Sequence, residues 1–169
     1  MFRQVELPDA LQGSLYLHSM PGRYEPLDST VRAIKDANIS MVVSLVSDKE
    51  IEEKSPDFAT AIDSDTFVAN RISFPIEDYS VPTDRSAFLD LSNDLAKSLQ
   101  GRQRILVHCG AGIGRTGTLA VSVLMSLGID PNIAERLVRE AGSGAETKGQ
   151  EDLLEWVSSQ LGCTSPRHR

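Results

Sequence analysis

The sequence predicts an α/β fold with a central mixed, mostly parallel sheet flanked by helices, and three observations carry that expectation. Two apolar, β-branched runs, Ile39–Val46 and Ile105–His108, have the composition of strands buried on both faces of a sheet. Amphipathic stretches with apolar residues every three or four positions separate and follow these runs. The resulting order, strand, helix, strand, helix, strand, helix and then a helical tail, is that of a layered α/β domain. The chain of 169 residues is 40% hydrophobic and 24% charged, enough apolar residue for one closed core and too much for a disordered chain. Residues 1–163 are therefore expected as a single domain and 164–169 as a flexible tail.

Taken in order, Ser14–Leu17 reads as a short strand and Met20–Arg23 as a Pro-Gly turn. Asp28–Ala37 carries Val31, Ile34 and Ala37 at helical spacing, with Asp28 or Ser29 as the expected N-cap. After the Ile39–Val46 strand, Thr66–Ile76 gives a less regular strand signal that stops near Pro75. A long helix is expected from Thr83, with Phe88, Leu91, Leu95 and Leu99 on one face and Gly101 as its stop. The Ile105–His108 strand follows, then helices at Thr116–Leu127, Asn132–Glu140 and Thr147–Gln160.

Charge and cysteine content narrow the functional classes. A formal net charge of −7 disfavours nucleic acid as a partner, because its binding draws on excess Lys and Arg. Neither a signal peptide nor an apolar run of membrane-spanning length is found, so no membrane insertion is expected. With only Cys109 and Cys163, no disulfide framework is expected, and the chain reads as a cytoplasmic protein.

The chemistry concentrates in Val107-His108-Cys109-Gly110-Ala111-Gly112-Ile113-Gly114-Arg115-Thr116-Gly117. Lying after an apolar strand and before a helix, this stretch lets successive backbone N–H groups curl around an anion at the positive end of the helix. Gly110, Gly112 and Gly114 are expected to allow a tight, partly left-handed backbone. A nucleotide-binding P-loop is excluded, since it needs Gly where Cys109 stands and Lys where Arg115 stands. Gly112, Gly114 and Gly117 spell a dinucleotide fingerprint, but no following strand ends in Asp or Glu. What remains is Cys109, five residues, Arg115 and Thr116.

That H-C-x5-R-[ST] signature resembles the protein tyrosine phosphatase superfamily. The flanks, Pro75-Ile76-Glu77-Asp78 upstream and Gly142-Ser143-Gly144-Ala145 with Thr147 and Gln150 downstream, are similar to its compact dual-specificity type and the cyclin-dependent kinase-associated phosphatase group. The resemblance runs from about Leu15 to Trp156 and implies a dual-specificity phosphatase-like fold. It also implies hydrolysis of phosphotyrosine first, with phosphoserine and phosphothreonine close behind, through a phosphocysteine intermediate and with no cofactor and no metal. Its partners would be phosphorylated proteins. The alternatives are a phosphoinositide phosphatase, disfavoured because Ala111 and Ile113 stand where lipid phosphatases of this kind tend to carry Lys, and a non-catalytic phosphate-binding scaffold. An RNA 5′-triphosphatase is disfavoured by the acidic balance.

Residue chemistry supports the same roles. Attack on phosphorus needs a thiolate, and backbone N–H groups, the helix N-terminus and Arg115 all favour a negative sulfur at Cys109. Full ionisation raises the thiolate population only about thirtyfold over that of a free cysteine, so most of the rate must arise elsewhere. Arg115 offers a planar fork for two phosphate oxygens, which Lys cannot reproduce. Gly110, Ala111, Gly112, Ile113 and Gly114 supply the rest of the phosphate cradle. Thr116 is expected to donate its hydroxyl to the Cys109 sulfur.

His108 is expected to support the loop rather than to carry protons. Asp78 is the first candidate for the general acid, with Glu77 and Asp84 as competitors. Gln150 is either a water-positioning residue or a solvated first-turn residue of the last helix. Cys163 reads as a surface thiol, with resolution of an oxidised Cys109 as the alternative. Arg23, Arg71 and Lys148 read as solvated charge or as aids to substrate recognition.

Overall fold

The structure, a computed structural model, describes residues 1–163; the expected tail at 164–169 lies outside the described residues. In chain order the elements are β1 (Arg3–Val5), β2 (Ser14–His18), α1 (Leu27–Asp36), β3 (Met41–Ser44), α2 (Asp48–Lys54), α3 (Pro56–Asp63), β4 (Asn70–Ser73), α4 (Arg85–Gln100), β5 (Arg104–His108), α5 (Gly114–Ser126), α6 (Pro131–Glu140) and α7 (Lys148–Gln160). The five strands form one sheet in the order β1-β2-β5-β3-β4. Only β1 runs antiparallel to its neighbour. This is the mixed, mostly parallel sheet that the sequence predicts.

Strand alternation divides the core in two. Leu15, Leu17, Val43, Ile105 and Val107 join one buried cluster with Phe88, Leu119, Val138 and Leu153 from the four C-terminal helices. Their neighbours Tyr16, Val42 and Leu106 join a second, smaller cluster with Ile34 of α1 and Ile39. A strand places successive side chains on opposite faces, so apolar residues in succession are needed where helices cover both. Each fully buried Val or Leu contributes about 1.5–3 kcal/mol.

The register sets the position of the site. Leu17 and Val43 flank Val107, and His18 and Ser44 flank His108, so β2, β5 and β3 end level. The chain leaving β5 thus emerges at the carboxyl edge of the sheet between two neighbouring strand ends, the usual crevice of open α/β sheets. It enters α5, in which every residue from Gly114 to Met125 is buried. The small and apolar composition of α5 on all sides suits its place among β5, α4, α6 and α7.

Several local expectations are corrected. Helix α1 starts one residue before Asp28, with Pro26 at the N-cap position and no side-chain cap bond. Helix α4 is capped by Asp84, whose carboxylate accepts from Ala87 N at 2.9 Å. Gly101 occupies its C-cap at φ −78°, and the left-handed residue is Arg102, at φ 68°. The Thr66–Ile76 strand narrows to β4, although Phe74 and Ile76 still donate to Ser44 and Leu45 carbonyls.

Elements β1, α2 and α3 are absent from the sequence reading. Helix α2 has one buried residue, Ile51, and α3 has only Phe58, with Ala59 and Ile62 partly buried beside it, so each apolar face is too short to show a helical period. Among the described residues, no helix is long and apolar enough to cross a membrane.

Candidate active site

Strand β5 ends at His108 and α5 begins at Gly114, so Cys109–Ile113 wraps the N-terminus of a buried helix. Cys109 is 2% exposed, and its Sγ accepts the Gly112 N–H at 3.2 Å. Of the three cradle glycines only Gly112 is left-handed, at φ 77°. A side chain there would also drive into the His18 carbonyl at the end of β2. Gly110 is small for a different reason: a Cβ would press on the guanidinium groups of Arg23 and Arg115 and on the Glu50 carboxylate. At Gly114 it would meet the carboxylate of Glu146.

Arg115, on the first turn of α5, is 2% exposed and fully engaged at both terminal nitrogens. Nη1 donates to Glu50 Oε2 and to the Ile76 carbonyl, each at 2.9 Å. Nη2 donates to Glu50 Oε1 and meets Asp78 Oδ1, each at 3.0 Å. Burial alone would raise the carboxyl of Glu50, but bonds from Arg115 and Lys54 outweigh it and hold Glu50 down to about 2. Burial would lower Arg115, and the same pairing with Glu50 reverses the sign and raises it. The Arg115 Nε–H is buried and has no partner among the described residues.

Asp78 lies in the turn after β4, half exposed, with its Oδ1 also accepting from Tyr79 N at 3.0 Å. It is the one of the three acid candidates seen against Arg115; Asp84 is occupied as the α4 cap, and Glu77 is exposed. Thr116 Oγ1 is buried without a partner among the described residues, so the expected bond to sulfur is not made and the Gly112 N–H stands at the sulfur instead.

His108 is fully buried. Its Nδ1 is 3.1 Å from the Cys109 carbonyl and its Nε2 is 2.6 Å from Ser44 Oγ, whose oxygen also accepts from Arg71 Nε at 3.1 Å. The matching tautomer donates Nδ1–H to the carbonyl and accepts the serine proton at Nε2. Burial, only partly offset by that carbonyl, pushes His108 down to about 3, so the ring is a neutral brace. Arg71, read from sequence as solvated charge, is instead the outer end of this chain and pairs with Asp48 at 3.1 Å.

Two further residues join the cradle from distant parts of the sequence. Arg3 of β1 donates from Nη2 to the Gly112 carbonyl at 2.6 Å and from Nη1 to the Gly142 carbonyl at 2.7 Å. Ser143 Oγ donates to the same Gly112 carbonyl at 2.7 Å. Gln150 is 1% exposed, which removes the solvated-surface reading. Its Oε1 accepts from Glu146 N at 2.8 Å, and its Nε2 donates to the Ser80 carbonyl at 3.3 Å, tying the turn that carries Asp78 to the start of α7.

Arg23 stacks on the ring of Tyr24 at 4.7 Å beside the cradle. Lys148 is exposed and pairs with Asp152 at 2.7 Å. Cys109 and Cys163 are both free thiols.

Comparison with known proteins agrees with this arrangement. A 44-residue segment is 50% identical to a receptor-type tyrosine-protein phosphatase V of Rattus norvegicus, covering 24% of this chain and 3% of that one. Over 90 residues the chain is 30% identical to a protein of Invertebrate iridescent virus 6 named as a tyrosine phosphatase, covering 51% and 33% respectively. The chain thus spans a third or less of the length of these curated relatives. The fold is that of the kinase-associated phosphatase, solved with its catalytic site cysteine replaced by serine: TM-score 0.81 at 18% identity, covering 98% of this chain and 97% of that one. A family model described as Tc-R-P, polymorphic toxin system, DSP-PTPase phosphatase, matches residues 18–129, and the chain belongs to that family of the tyrosine and dual-specificity phosphatases.

Proposed function

We propose that this chain removes phosphate from phosphoproteins, phosphotyrosine first, through a phosphocysteine at Cys109. The observation that supports it best is the meeting of three groups at one loop. A buried sulfur receives a cradle N–H, a buried guanidinium is held in plane by Glu50, and the Asp78 carboxylate lies on that guanidinium. A phosphate dianion entering the cradle takes the free Arg115 Nε–H and the Nη2 hydrogen that Asp78 now holds. Asp78 is thereby released toward the leaving oxygen.

In the first step the Cys109 thiolate forms the S–P bond as the P–O ester bond breaks, and Asp78 gives its proton to the departing oxygen. In the second, Asp78 takes a proton from water as water forms the new P–O bond, and the S–P bond returns its electrons to sulfur. The partnerless Thr116 hydroxyl is the available donor to the departing thiolate in that step. Gly110, Ala111, Gly112, Ile113 and Gly114 surround the phosphate, with His108 bracing the Cys109 carbonyl. From its present rotamer Gln150 holds the Asp78 turn; orienting the hydrolytic water as well requires release of its 3.3 Å bond to Ser80. No cofactor enters this scheme, and a cytoplasmic site of action fits the two free thiols.

Asp78→Asn tests the assignment with a pair of substrates. It should reduce kcat by 10²–10⁴ on an alkyl phosphate, which needs its leaving group protonated, and much less on an activated aryl phosphate. If Glu77→Gln shows this pattern and Asp78→Asn does not, the acid is Glu77.

A further inference from the structure

We propose that a cavity beside the cradle is a subsite for a basic side chain next to the phosphorylated residue of a protein substrate. The inference rests on the phosphatase reading above and adds the class of phosphoprotein that the site selects. The cavity has a volume of about 340 Å³, within the range of small-ligand pockets. It lies between the start of α5, helix α6, the 142–146 segment and the first turns of α7.

Its position ties it to the cradle. Ile113 belongs to both: it is a cradle residue, 40% exposed, and also a cavity wall. The 142–146 segment is fixed to the cradle by the Gly144 N–H, which donates to the Ile113 carbonyl at 3.2 Å. Glu146 follows directly, with its carboxylate against Gly114.

The lining combines apolar wall with carboxylates, two of which make no salt bridge among the described residues. Ile113 and Leu154 offer hydrocarbon surface, while Glu135, Glu146 and Glu151 face the space with Arg139. Arg139 is within 4.0 Å of Glu135. Glu146 and Glu151 have no ion pair among the described residues.

A Lys or Arg side chain fits both properties, because its stem packs on apolar surface while its head stays at the carboxylates. Because Ile113 is shared by cradle and cavity, the side chain belongs close in sequence to the phosphorylated residue, and a chain that advances at most about 3.3–3.6 Å per residue brings positions up to about two away into reach. The same carboxylates repel a second phosphate or an acidic flank, so charge selects phosphoproteins over polyphosphorylated lipid headgroups.

Three phosphotyrosine peptides test this, alike except for Arg, norleucine or Glu at the position two residues away on either side. For the wild-type chain, kcat/KM should be about two- to fivefold higher with Arg than with norleucine, and lower again with Glu. The preference should shrink in concentrated salt. The double variant Glu146→Gln with Glu151→Gln should bring the three peptides together.

Equal rates for the three peptides, preference for Glu, or an Arg preference that survives in a folded double variant would overturn the subsite while leaving the phosphatase reading intact. Faster turnover of a phosphoinositide vesicle than of every peptide would overturn it as well. Absence of turnover on all three peptides would overturn the protein-phosphatase reading, and the subsite with it.

Discussion

Replacing Glu50 by Gln isolates the contact that holds the Arg115 guanidinium, the proposed phosphate clamp, in plane. Glu50 accepts from both terminal nitrogens of Arg115, at 2.9 and 3.0 Å, with side-chain exposures of 15% for Glu50 and 2% for Arg115. Breaking a buried pair costs about 3–5 kcal/mol. Partial solvent contact, the amide oxygen that Gln retains and the Ile76 carbonyl on Nη1 reduce this to about 2 kcal/mol. For a domain of this size that corresponds to about 4–8 °C in Tm.

The pH dependence follows from the depressed carboxyl. Glu50 titrates near 4.5 in the unfolded chain and at about 2 when folded, so its contribution is complete above about 4.5 and is lost as pH falls toward 2. Urea unfolding at several pH values should show that loss in the wild type and a flatter profile in Glu50→Gln. On an aryl phosphate at neutral pH the variant should lose about 10–100-fold in kcat/KM, because the clamp no longer arrives pre-oriented. Wild-type kcat/KM together with wild-type unfolding would refute the reasoning.

His108→Asn should make stability less pH-dependent. The unfolded imidazole binds a proton near 6.5 and the folded one only near 3, so the wild type loses stability as pH falls below 6.5, by about 2 kcal/mol at pH 5; an equal slope in the variant counts against the neutral brace. Arg3→Ala should lower kcat/KM about tenfold by releasing the Gly112 and Gly142 carbonyls, and Arg3→Lys should recover part of it; an unchanged Arg3→Ala removes Arg3 from the cradle. Gln150→Ala should slow both chemical steps in rapid-mixing kinetics if its work is to hold the Asp78 turn, and phosphocysteine hydrolysis alone if it orients water; unchanged burst and steady-state rates exclude both.

Which parts of the site are legible from sequence depends on how far apart their components lie. The cradle is contiguous from His108 to Gly117, and its glycines, sulfur and guanidinium have few other uses at that spacing, so it can be read directly. Asp78 comes from the resemblance of its flanks, because a single aspartate in a turn carries no signature of its own. Glu50 sits in a seven-residue helix that reads as surface charge, and only its fold-dependent approach to Arg115, 65 residues away, gives it a task.

Arg3 reaches Gly112 across 109 residues from a three-residue edge strand, too short for any periodic signal. Ser44 becomes the partner of His108, and Arg71 the partner of Ser44, through strand register, which no local pattern encodes. The strands β3 and β5 are visible because burial on both faces leaves an unbroken apolar run, whereas α2 and α3 fully bury one side chain each.

The central claim is that phosphate passes through the sulfur of Cys109. Acid quenching within the first turnovers of a phosphotyrosine peptide, followed by mass spectrometry of the protein, should find one phosphate on the peptide that contains Cys109 and none in Cys109→Ser. Wild-type turnover with no phosphate at Cys109, or turnover that persists in purified Cys109→Ser, would contradict it.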